Sequence, residues 1–165
     1  MSDLSHAAPT VRAAVESIQN ALFEGMSASA QADASAFCRT FFARMPEEEL
    51  TAREPHRWAA MLAAFIGFAK QRKPGLQSVK VFNPVLSEDG FESAHTVVQI
   101  VNDDMPFLVD SVTMALAGLD IQIHTLIHPV MRLQRDPSGH LLGVGERGKD
   151  ESLMHIELDR QAEVS

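Results

Sequence analysis

Two adjacent carboxylates, Asp103 and Asp104, are the first candidates for chemistry in this chain. They lie in the turn Asn102-Asp103-Asp104-Met105-Pro106. General acid–base work needs one carboxyl held protonated by burial or by its neighbour. At a helix start the exposed N–H groups favour the charged form instead. The spacing therefore points to a helix capped by Asp104, with Pro106 in its first turn. Asp110 and Ser111 follow on that helix, and no histidine is spaced to assemble a triad with them.

His124 and His128 are four residues apart, the spacing of a metal pair on a helix. On a strand that spacing separates them by ~13 Å. One zinc holds each ligand at ~2 Å, so sharing a metal would need a bend, and Pro129 is the only hint of one. A stand-alone metal-dependent enzyme using His124, His128 and His155 is the reading this pattern would support. Gly143-Val144-Gly145-Glu146-Arg147-Gly148 spells GxGxxG. That motif binds a dinucleotide only where it opens a helix. Here the following residues alternate as a strand, so a flexible hairpin region is expected. Lys70-Gln71-Arg72-Lys73 is the one local basic cluster, placed to complement the dipole in the last turn of a helix.

The elements that must position these residues follow from hydrophobic period. Val11, Val15, Ile18 and Leu22 share a helical face that ends at Gly25. A second helix starts near Ser27 or Ser29 and carries Phe37, Phe41 and Phe42. Met45-Pro46 stops it, and the acidic stretch 46–53 makes one short turn. A third helix opens at Pro55 and buries Trp58, Met61, Leu62 and Phe65. From Leu76 the period becomes strand-like. Residues 79–82 form a short strand, expected to pair antiparallel with a central strand at 96–101 that is apolar on both faces. A helix follows, with Leu108, Val112, Ala115 and Leu119 as its buried stripe. A long strand then begins at Ile121 and places Ile121, Ile123, Ile127 and Met131 on one face. Asp136-Pro137-Ser138-Gly139 turns the chain, and Met154, Ile156 and Leu158 alternate with polar residues on the return.

The chain has 165 residues, 45% of them hydrophobic, a net charge of −8 and a single cysteine. Acidity without a basic stripe argues against nucleic acid and anionic membrane as partners. One cysteine allows no internal disulfide. The opening residues lack a signal-peptide pattern, and no apolar run reaches the ~20 residues of a membrane span. A cytoplasmic location is expected.

The string VVQIVNDDMPFLVDSVTMAL, followed by IHPVMRLQRDPSGHLLGV and ESLMHIELDR, resembles the N-terminal region of the large bacterial NAD-specific glutamate dehydrogenases. The resemblance covers nearly the whole chain. It implies an ACT-like module from a very long enzyme whose NAD-binding, catalytic part lies far toward the C-terminus. The parent reaction would convert L-glutamate, NAD and water to 2-oxoglutarate, ammonium and NADH. No catalytic or cofactor-binding motif of that family maps onto these residues, so no activity is expected of this segment alone. ACT modules often bind amino acids at a turn that reads Asp-x-Pro-Gly. Here Asp104-Met105-Pro106-Phe107 has phenylalanine in place of the glycine, which would plug the effector position.

The resulting expectation is an α+β chain. A helical lobe spans 9–73, and an ACT-like, ferredoxin-like-variant antiparallel sheet with one packed helix spans 76–160. Its expected function is non-catalytic assembly or regulation, with an amino-acid-sensing ACT domain as the alternative. The effector or interface turn would be Asn102, Asp103, Asp104, Pro106 and Phe107. Expected partners are the rest of the parent chain and further copies in a homo-oligomer, with no metal or cofactor in this segment.

Overall fold

The computed structural model describes residues 4–162 and Val164. The chain divides into two compact units, Met1–Lys70 and Gln71–Ser165.

The first unit is helical. After a short 3-10 turn at Leu4–His6 come α1 (Pro9–Phe23), α2 (Ala28–Phe42), α3 (Glu47–Thr51) and α4 (Pro55–Ala69). The apolar face of α1 is buried as its period requires, through Val11, Val15, Ile18 and Leu22. Ser27 starts α2 by accepting a bond from the Ala30 N–H, 3.4 Å away. The acidic stretch after Pro46 forms a five-residue helix rather than a single turn. Aromatic rings make the core: Phe41 meets Phe65 edge-on at 4.9 Å, and Phe42 meets Trp58 at 5.4 Å. Each such pair contributes about 0.5–1.5 kcal/mol beyond burial. The Trp58 indole N–H donates to the Leu50 carbonyl at 2.9 Å, so its one polar atom is satisfied. Cys38 is fully buried here, and burial pushes its thiol up to about 12.

The second unit is a six-stranded sheet with one face covered by a helix. Its strands are β1 (Ser78–Phe82), β2 (Thr96–Asp103), β3 (Ile123–Ile127), β4 (Val130–Arg135), β5 (Leu141–Val144) and β6 (Lys149–Leu158). The four-residue α5 (Leu86–Asp89) follows β1, and α6 (Leu108–Gly118) links β2 to β3. The order is β1-β2-β6-β4-β5, with β3 also paired to β6, and every pairing is antiparallel. Strands β2 and β3 flank β6, so β2-α6-β3 is a split β-α-β unit. This is the expected α+β architecture, with β1 on the edge beside β2.

Four expectations need correction. First, the long strand breaks at His128-Pro129 into β3 and β4. Both halves still pair with β6, and the Leu153 N–H bonds the Pro129 carbonyl across the break. Second, its side chains do not share one face. A bulge between Ile123 and Thr125 reverses the alternation. Ile121 and Ile123 therefore pack under α6 with Val98, Met154, Ile156 and Leu158, a cluster that does not include Ile127 and Met131. Third, α6 packs through Leu108, Val109, Val112 and Leu116, while Ala115 and Leu119 face solvent. No residue of α6 is fully buried. Fourth, α4 stops at Ala69, and the basic cluster continues into the second unit. Lys70 ends the helix exposed, but the backbone of Gln71 bridges to His140 and Arg72 is 6% exposed, so Arg72 is not a solvated helix-end cation.

Candidate functional site

Of the expected turn residues, Asn102 and Asp103 end β2, and the turn itself runs from Asp104 to Phe107 into α6. Its conformation is not the capped helix start that the two aspartates suggested. The residue preceding α6 is Phe107, and no side chain caps the helix. Asp104 instead donates its backbone N–H to the Asp150 carbonyl at 3.1 Å, tying the turn to the start of β6. Asn102 accepts from the Asp103 N–H at 2.9 Å. Phe107 adopts φ 66° and ψ 14°, the left-handed region. A bulky residue is rare there because Cβ crowds the carbonyl. The backbone thus keeps the shape a glycine would take, with phenylalanine built on it. The ring is 76% exposed and does not plug a cleft.

The acidic pair is split in function. Asp103 lies directly opposite Glu151 across β2 and β6. Two like charges at facing positions repel. Arg72 resolves this by donating Nη1 to Glu151 at 2.8 Å and Nη2 to Asp103 at 3.0 Å. Its Nε donates to the Leu76 carbonyl. A second guanidinium, Arg135, donates Nε to the other Glu151 oxygen at 2.8 Å and Nη1 to the Gly139 carbonyl at 3.0 Å. Glu151 is 3% exposed and Arg72 6%, so this is a buried ionic cluster. Such a cluster holds only when each charge is matched by oriented partners. Sequence reading missed it, because Arg72 was placed on a helix end and Glu151 was assigned no role. The available signal was a charge inside the strand-like run 149–158, where burial demands a partner.

The three histidines are not assembled. His124 Nε2 lies 2.7 Å from Asp159 Oδ1, and its ring stacks on His95 at 4.2 Å. Asp159 also accepts from the Gln122 N–H, and its hydrogen bond to His124 holds its carboxyl below the usual range. His128 Nε2 lies 2.6 Å from the Ser152 hydroxyl. Burial lowers the His128 pKa, and the nearby negative charge of Asp104 only partly offsets this. His155 is buried on β6, 3.8 Å from Glu157. Among the described residues, no group of three or more His, Cys, Asp or Glu side chains could hold a metal ion.

The GxGxxG segment opens no helix. Gly148 donates to the Gly145 carbonyl at 2.9 Å and β6 begins at Lys149. The chain here steps from one side of β4 to the other, and an added Cβ at Gly148 would lie 2.5 Å from the Leu133 carbonyl carbon.

Against known families, residues 37–165 match the model described as glutamate dehydrogenase, ACT1 domain. The chain belongs to that family. The match takes in the later part of α2 and everything after it, so helices of the first unit are part of the family pattern. The ACT1 chain is 34% identical over 151 residues to the NAD-specific glutamate dehydrogenase of Pseudomonas aeruginosa, covering 88% of this chain and 9% of that one. It is 31% identical over 137 residues to the enzyme of the same name from Halomonas elongata, covering 79% of this chain and 8% of that one. It thus spans less than a tenth of the length of these relatives. No solved structure matches it. Among the described residues, no helix is long and apolar enough to cross a membrane.

Proposed function

We propose that this ACT1 chain is a non-catalytic assembly or regulatory domain from the N-terminal part of a large, cytoplasmic NAD-dependent glutamate dehydrogenase. The family match over residues 37–165 carries this reading. In the parent enzyme, NAD and glutamate would be handled elsewhere in the chain, and this domain would contact the rest of that chain and further copies of itself. The test is direct. The purified chain, given L-glutamate and NAD, should form no NADH, and measurable turnover would refute the non-catalytic role. Light scattering should show self-association.

An amino-acid-sensing role is the second reading. One observation favours it: Phe107 retains the left-handed backbone of a glycine turn, so the turn keeps a ligand-approaching shape. An amino acid binding there would raise the melting temperature by mass action. A screen of the twenty amino acids without a shift would remove this reading.

A further inference from the structure

Beside the ionic cluster lies a cavity of about 360 Å³, formed entirely by residues of the second unit. That volume is in the range of small-ligand sites. Five cationic residues line it: Arg72, Lys73, Arg135, Arg147 and Lys149. Three carboxylates also line it, leaving an excess of two positive charges in a chain of net charge −8.

The carboxylates are already committed. Glu151 accepts from both Arg72 and Arg135, and Asp103 accepts from Arg72. Asp136 accepts from the Ser138 N–H, the Ser138 hydroxyl and the His140 N–H, which close its own turn. Two of the cations are committed in turn. Arg72 donates from all three nitrogens to the partners given above, and Arg135 uses Nε and Nη1. Arg135 Nη2 is buried and has no hydrogen-bond partner among the described residues. A buried guanidinium donor without an acceptor is costly, because its lost hydration is not replaced. Nor do Lys73, Arg147 and Lys149 have a carboxylate partner among the described residues.

We propose that this cavity binds a small oxyanion, with Arg135 Nη2 as the inner donor and Arg147 and Lys149 as the outer cations. Guanidinium groups match the paired oxygens of carboxylate and phosphate alike, so the ligand class is a compact organic carboxylate or a phosphate. The Glu151 carboxylate orients Arg135 without neutralising the site, because Arg72 shares its charge. The turn at Gly139 and the crossing at Gly148 bring backbone to the cavity wall where no side chain fits. The site is distinct from the Phe107 turn, and it does not rest on the proposed role in glutamate dehydrogenase.

The test is isothermal titration of the chain with inorganic phosphate and, separately, with succinate, at ionic strength matched with sodium chloride because exposed charges are screened. Saturable binding with a Kd of about 1 mM or tighter is expected for at least one. Phosphate alone, succinate alone, or mutual competition identifies the source. In Arg147→Gln/Lys149→Gln, two changes outside the buried ion pairs, the affinity should fall by about tenfold or more. Arg135→Lys should abolish binding; if it fails to fold, the double variant still decides. Absence of saturable binding to both anions, or an unchanged affinity in the folded double variant, overturns the proposal. Neither outcome bears on glutamate turnover, so the two readings fail separately.

Discussion

Phe107 carries backbone strain for no packing return. Its left-handed φ disfavours any side chain with a Cβ, and its ring is mostly in water. Phe107→Gly should therefore raise stability, by up to about 1 kcal/mol once the entropy of the unfolded glycine is subtracted. Urea unfolding would measure it, and a clear loss would mean that the ring has a contact that matters. Arg72 is the opposite case. It sits between two carboxylates that face each other, one of them buried. Arg72→Met should lower stability by about 1–3 kcal/mol, because Glu151 keeps Arg135 but one of its buried oxygens loses its donor. A loss under about 1 kcal/mol in the same denaturation experiment would show that water replaces the guanidinium easily.

Among the elements, the connection from β5 to β6 is the one where sequence and topology meet most tightly. Residues 145–148 must pass β4 within four residues, because β5 and β6 lie on opposite sides of it. The approach to Leu133 leaves no room for a Cβ at Gly148, whereas Gly145 has nothing within 4 Å. Gly148→Ala should cost about 1–3 kcal/mol through overpacking against backbone that cannot yield. Gly145→Ala should be nearly neutral. Equal effects in a pair of thermal melts would mean that the crossing is not the constraint. The same geometry explains why GxGxxG here is no nucleotide loop: its last glycine serves a strand crossing, not a phosphate.

The whole molecule should lose stability toward acid in two stages. Burial lowers the His128 pKa below its ordinary 6.5, so the unfolded chain takes up that proton first as the pH falls. Stability then declines as pH drops from about that value toward the folded pKa. A second loss follows at lower pH, where Asp136 and Asp159 must be protonated against pKa values held below 3.8 in the fold. Their stabilisation is present above the unfolded value and disappears as pH falls through the folded one. His128→Gln should flatten the first stage and leave the second. An unchanged upper limb in urea midpoints across pH would assign the first stage to other groups.

Periodicity alone is enough to place α1, α2 and α4 of the first unit, the pairing of β1 with β2 and the helix after the Asp-Asp pair. Those features depend on local spacing, where an apolar residue every three or four positions, or every two, has one economical structure. The strand break, the reversed face after Ile123 and the true buried stripe of α6 were not legible, because a single bulged residue inverts every later side chain without leaving a mark in composition. The turn before α6 is legible only to within two residues, since β2 runs on through Asp103, and its conformation is not, since αL phenylalanine contradicts its own local preference. The ionic cluster of Arg72, Asp103, Arg135 and Glu151 belongs wholly to tertiary structure. Its members are up to 79 residues apart in the chain. Their charges are compatible with water when read one by one. Only the packing of β2, β4 and β6 removes that water and forces each charge to find a partner.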